Sequence, residues 1–178
     1  MMIHVTGRAG EHEGVLRFGG HVFPCALGRS GIVAAKREGD GGTPAGNFAL
    51  RELFFRQDRL ERPSTSLAGR PLAQDDGWCD ASSDPAYNRP VKLPYGASAE
   101  TLWRADRLYD LIVPLGYNDD PVVPGAGSAI FFHLAKEEEG GHLAATEGCV
   151  ALRLADMLQV LARATPDTRM TIEPSSAS

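Results

Sequence analysis

What most constrains this chain is a succession of short runs that suit strands, each cut off by a cluster of Gly, Pro or Asp. "IHVT" (3–6), "GVLRF" (14–18), "HVFPCAL" (21–27), "NFALRELFF" (47–55), "LYDLIVPL" (108–115), "SAIFFHLA" (128–135) and "RMTIEP" (169–174) are rich in β-branched and aromatic residues, and several alternate in polarity. They predict a mainly β domain. One segment departs from the pattern. In "LRLADMLQVLARA", Leu154, Leu158 and Leu161 recur at helical spacing while Arg153, Asp156, Gln159 and Arg163 fall largely on other faces. This predicts a helix of about ten to thirteen residues, ending before Thr165-Pro166 because proline disfavours helical geometry in the residue before it.

The stretch from about Gln57 to Glu100, rich in Pro, Gly, Ser and Asp, has no sustained period; so long a loop in a compact domain is usually a functional cover or disordered. With 178 residues the chain fits one domain, 1–174, which can bury a core without disulfides, followed by a frayed tail at 175–178.

Composition narrows the function classes. A formal net charge of -5, with no long Lys/Arg cluster, argues against nucleic acid or an anionic membrane as the main partner. No run approaches the roughly 18 apolar residues of a membrane span. The N-terminus has no basic region followed by an apolar one, so the chain as written carries no export signal and reads as cytoplasmic, or as an envelope protein if a leader was removed. Cys25, Cys79 and Cys149 form neither an even set nor a C-x-x-C pair, so no disulfide framework or zinc ribbon is suggested and at least one thiol is free.

Cys149, in "HLAATEGCVAL", follows a glycine just upstream of the expected helix. It is either a small core residue or a presented nucleophile. A helix N-terminus would favour the thiolate and bring the thiol below its ordinary range, and free main-chain N–H groups would face an oxyanion. His133, sixteen residues upstream at the close of "SAIFFHLA", is either structural or the general base such a thiol needs. His142, in "KEEEGGHLAAT", competes for that role but reads as a solvated loop residue. His133, His142, Cys149 and Cys79 match no common zinc spacing, and no metal or cofactor is expected. "KREGDGGTPAGNFAL" (36–50) lacks the G-K-[ST] ending of a phosphate loop and reads as a glycine-rich turn before a strand. Tyr87, Asn88, Arg89, Trp103, Arg104, Tyr117 and Asn118 cluster aromatic, amide and guanidinium groups that either line a peptide groove or pin the loops.

Together these segments resemble the L,D-transpeptidase catalytic domain, also called the YkuD-type domain. That family carries a histidine, a spacer of comparable length and then Ser/Thr-x-Gly-Cys, matched by His133, Thr146, Glu147, Gly148 and Cys149. Its upstream Thr-Pro-x-Gly-x-Phe stretch is matched by Thr43, Pro44, Gly46 and Phe48. The resemblance implies a β-sandwich in which the cysteine loop leads to a helix. It also implies a reaction, in which the thiol forms a thioester with a peptidoglycan stem peptide and passes the acyl group to an acceptor, cross-linking or attaching peptides in the cell wall.

Carried over by position, Cys149 is the nucleophile, His133 the base and the Leu134 carbonyl its orienting group. The main-chain N–H groups of Gly148 and Cys149 form the oxyanion hole, and Thr146, Glu147, Tyr117, Asn118 and Arg104 are candidate substrate contacts. Stem peptides or muropeptides are the implied partners. Two departures stand out: Glu147 occupies the place of a common family histidine, and Ala151 that of a common arginine. An L,D-carboxypeptidase that hydrolyses recycled tetrapeptides and an inactive glycan- or peptide-binding module are the alternatives.

Overall fold

The structure, a computed structural model, describes residues 1–175. In chain order its strands are β1 (Met2–Gly7), β2 (Glu13–Phe18), β3 (His21–Ala26), β4 (Ile32–Val33), β5 (Thr43–Pro44), β6 (Gly46–Ala49), β7 (Leu53–Phe55), β8 (Gly69–Pro71), β9 (Asp76–Cys79), β10 (Pro90–Lys92), β11 (Ala99–Thr101), β12 (Leu111–Pro114), β13 (Phe131–Leu134) and β14 (Val150–Leu152). A helix, α1 (Leu154–Leu161), and β15 (Arg169–Pro174) complete the fold. The mainly β expectation is met.

Ten strands form one sheet in the order β6-β15-β1-β2-β3-β14-β13-β12-β7-β8. The sheet curls until β6 returns to β12: Leu50 bridges Leu115 and the Gly116 N–H donates to the Ala49 carbonyl at 2.8 Å. Its inner face encloses one core that gathers Ile3, Val5, Leu16, Phe132, Val150 and Leu152 from strands all along the order. Because side chains alternate across a strand, the neighbours of these residues point to the opposite face. Phe54, Ile112, Phe131 and Cys149 belong to a second apolar cluster there, capped by Trp78, Leu102 and Trp103.

The 57–100 stretch supplies Trp78 of that cap, and the residues just after it supply Leu102 and Trp103. The stretch is an ordered cover, with β9 paired to both β10 and β11 in a small sheet of its own. Its order comes from side chains that no periodicity reports. Asp76 takes Arg70 at 2.7 Å and Lys92 at 2.8 Å, Trp78 Nε1 donates to Asn88 Oδ1 at 2.9 Å, and the Arg56 guanidinium lies 3.7 Å over the Trp103 ring.

α1 corrects two expectations. It has 8 residues, followed by a closing turn in which Ala164 N–H reaches Val160 O, and the Thr165 N–H is taken by Thr168 Oγ1 at 2.8 Å. Its buried stripe is Met157, Val160, Leu161 and Ala164, whereas Leu154 and Leu158 are exposed. A leucine spacing and a mixed Met/Val/Ala spacing compete in this segment, and packing on the sheet selects the second. Of the tail expected to fray, 176–178 lie outside the described residues, while the Ser175 N–H donates to Gly7 O at 2.8 Å.

Candidate active site

β13 and β14 run parallel with His133 opposite Ala151, which puts Phe131 beside Cys149 and Cys149 one diagonal step from His133 on the same outer face. Both side chains are buried, and both line a cleft of about 430 Å³ with Lys36, Glu100, Arg104 and Tyr109. Ala151, the cross-strand partner of His133, lines the same cleft.

The cysteine is held by its main chain. Thr146 Oγ1 accepts the Gly148 N–H at 3.1 Å and donates to the Cys149 carbonyl at 2.8 Å, closing the turn from within. Buried Thr43, from the 36–50 stretch, donates to the same carbonyl at 3.4 Å and accepts the Gly28 N–H at 2.8 Å. Gly148 has φ +140°, and a Cβ there would lie 2.8 Å from the Gly42 carbonyl. The glycine-rich stretch thus packs its backbone directly under the cysteine turn.

The helix does not reach the thiol. β14 intervenes between Cys149 and α1, so the expected helix-terminus effect has no geometry to act through. The thiol instead donates to the Ala129 carbonyl at 3.4 Å and accepts the Phe131 N–H at 3.3 Å. Burial, followed by the nearby Glu100 carboxyl, pushes Cys149 up to about 12 against the opposing Phe131 N–H, contrary to the lowered value expected. Burial also lowers His133 to about 4. Its Nδ1 lies 2.8 Å from the Leu134 carbonyl, which can only accept; Nδ1 therefore carries the proton, leaving Nε2 as the basic nitrogen. The pair rests neutral on both sides.

Tyr109 meets His133 edge to face at 5.1 Å, and its hydroxyl donates to Glu100. Burial raises the Glu100 carboxyl. The Arg104 guanidinium lies 5.0 Å from the Tyr109 ring centroid and pairs with Asp106 at 2.6 Å. Tyr109 and Glu100 were not singled out from the sequence. The apolar run "LYDLIVPL" hides Tyr109, and Glu100 lies at the end of the aperiodic cover.

The other sequence candidates divide. Glu147 is exposed and lines the cleft, with its carboxylate 3.0 Å from Arg29 Nε in an ion pair. Thr146 holds the turn, and Arg104 lines the cleft. Tyr117 and Asn118 do not line it: the Tyr117 hydroxyl donates to Ala126 O at 2.5 Å, and the Asn118 side chain ties Val123 to Gly127. Asn88 accepts the Ala129 N–H at 3.0 Å and donates to both the Tyr117 and Asn118 carbonyls, bracing the wall behind the thiol. His142 pairs with Glu13 at 3.0 Å on the surface. Cys25 and Cys79 are buried strand residues. Among the described residues, no three His, Cys, Asp or Glu side chains converge closely enough to hold a metal ion, and no helix is long and apolar enough to cross a membrane.

A family model described as the L,D-transpeptidase catalytic domain matches residues 13–172. A solved structure, an L,D-transpeptidase from Mycobacterium smegmatis, is similar over 96% of this chain and 58% of its own length, at 13% identity and a TM-score of 0.40. The chain thus spans little more than half of that structure. No curated protein matches it.

Proposed function

The chain belongs to the L,D-transpeptidase catalytic domain family, and on that premise we propose that it is a cysteine-dependent acyl transferase acting on peptidoglycan stem peptides. The observation that carries the reading is the placement of Cys149 and His133 on one face of adjacent parallel strands, in one cleft, with His133 Nδ1 anchored on Leu134.

The thiol turns from the Ala129 carbonyl toward His133 Nε2, which takes its proton as sulfur attacks the carbonyl between the L-centre and the terminal D-residue. The Cys149 N–H faces the developing oxyanion, and the Gly148 N–H joins it by leaving Thr146 Oγ1. The proton then passes from His133 to the departing D-alanine amine, leaving a thioester on Cys149. An acceptor amine attacks the thioester, His133 removes its proton, and the thiol re-forms. Because both groups rest neutral, the proton moves with the attack rather than before it.

The test is a stem tetrapeptide incubated with and without an amine acceptor, with products read by mass spectrometry. Release of D-alanine together with a new amide to the acceptor is the expected result. Tripeptide alone in both tubes would instead make the chain an L,D-carboxypeptidase, and no turnover in either would favour the binding module.

A further inference from the structure

The carbonyl that takes the Cys149 proton belongs to a residue in an unfavourable conformation. Ala129, two residues before β13, has φ +53°, a left-handed backbone that is costly for any side chain with a Cβ. The main chain around this kink grips the sulfur at two points: the Ala129 carbonyl accepts the thiol hydrogen at 3.4 Å and the Phe131 N–H reaches the sulfur at 3.3 Å. A return of Ala129 to negative φ would re-aim its carbonyl relative to its N–H, and the carbonyl would leave the thiol. An outside group must hold Ala129 where its own preference does not.

Asn88 is that group. It is buried, and its side chain uses all four of its hydrogen-bonding positions. Oδ1 accepts the Ala129 N–H at 3.0 Å and Trp78 Nε1 at 2.9 Å, while the amide nitrogen donates to the Tyr117 carbonyl at 3.0 Å and the Asn118 carbonyl at 2.8 Å. Two donors face the oxygen and two carbonyls face the nitrogen, so the amide has one orientation. Asn88 itself has φ +56°, where asparagine is favoured over most other side chains. The hydroxyl of its buried neighbour Tyr87 accepts the Gly127 N–H at 3.0 Å, so two consecutive residues of the cover hold alternate residues of 127–129. Asn88 does not line the Cys149 cleft. Its reach to the thiol runs through Ala129.

We propose that Asn88 is a positioning residue for Cys149: it keeps Ala129 left-handed by holding its N–H, and the Ala129 carbonyl and Phe131 N–H then fix the sulfur in the rotamer from which it turns to His133. The effect on rate rests on the acyl-transfer reading, whereas the hold on the thiol does not. Released from Asn88, a residue with a Cβ populates the left-handed region less by about tenfold. The sulfur then starts its attack from a spread of rotamers, and a reaction that depends on alignment slows. Affinity for the acyl donor is set by the cleft, which Asn88 does not touch, and is unchanged.

Two readouts separate this role from general support of the fold. The S–H stretch of Cys149, taken from the infrared difference between each chain and its Cys149→Ala counterpart, moves to lower wavenumber when a carbonyl accepts the hydrogen, and it needs no turnover. Acylation by a carbapenem, followed over a range of concentrations, divides into an initial affinity and a first-order step. Asn88→Gly suits φ +56° and removes only the side chain. In it the S–H band should rise to the free-thiol position and the first-order step should slow by about tenfold, at unchanged initial affinity. Adding Ala129→Gly lowers the left-handed cost and should restore the band and most of the rate, which a role confined to bracing Tyr117 and Asn118 would not do. Should Asn88→Gly fail to melt cooperatively, Asn88→Asp, which keeps an oxygen toward the Ala129 N–H, should retain the lowered band. An unmoved band in Asn88→Gly, no recovery in the double variant, or a free S–H in Asn88→Asp would overturn the assignment. A wild type that no carbapenem acylates, but whose band follows this pattern, would sustain the hold on the thiol and overturn the acyl-transfer reading instead.

Discussion

Thr43 Oγ1 bridges the Gly28 N–H and the Cys149 carbonyl, at 2.8 and 3.4 Å, joining the glycine-rich stretch to the cysteine turn across 106 positions. Thr43 is fully buried, so its removal leaves the Gly28 donor unsatisfied. Thr43→Val keeps the shape and loses the hydroxyl, which should cost about 1–3 kcal/mol of stability and slow acylation of Cys149. A thermal melt and an acylation time course check both. An unchanged melting temperature would mean that the bridge holds nothing.

Gly148→Ala adds a Cβ at φ +140°, 2.8 Å from the Gly42 carbonyl, where neither backbone can retreat cheaply. The expected loss is at least about 2 kcal/mol, read as a lower urea midpoint with an unchanged slope. A variant as stable as the wild type would show that the turn has room to spare.

The pH response follows from the two buried neutral groups. His133 protonates near 4 in the folded chain and Cys149 ionises near 12, so acylation should stay level from roughly pH 5.5 to 9 instead of tracing a bell centred on an ion pair. Stability carries the matching sign. The unfolded histidine takes its proton at about 6.5, above the folded value, so the unfolded state binds more protons between the two. Stability is lost as pH falls from about 6.5 to 4, by an amount on the order of 3 kcal/mol from His133. Urea unfolding at pH 7 and pH 4 measures it, and in His133→Gln that part of the loss should vanish.

The Glu147–Arg29 pair sits exposed at the rim. Arg29→Ala and Glu147→Gln should each shift stability by no more than about 0.5 kcal/mol. A large loss of acylation in Glu147→Gln would mean that this carboxylate contacts substrate.

Strand alternation made the sheet legible in sequence, and the spacing from His133 to Cys149 pointed to the pair that β13 and β14 bring together. Thr43 was visible as part of a family stretch, but not as the hydroxyl that holds the cysteine turn, because that contact spans most of the chain. The helix face was misread because Leu154, Leu158 and Leu161 satisfy the helical period as well as Met157, Val160 and Leu161 do, and only the sheet beneath decides. Glu100 was hidden for a different reason. It lies in a cover held by ion pairs and single hydrogen bonds, which leave no period in a sequence. The thiol environment was misjudged because a three-residue strand separates Cys149 from the helix.

The most direct measurement is intact and peptide mass spectrometry after incubation with a carbapenem, whose strained β-lactam carbonyl is an electrophile for a nucleophilic thiol. The wild type should gain one carbapenem mass on the peptide carrying Cys149, His133→Gln should gain it far more slowly, and Cys149→Ala should gain none. An adduct that persists in Cys149→Ala, or maps to Cys25 or Cys79, would contradict the assignment of Cys149 as the nucleophile.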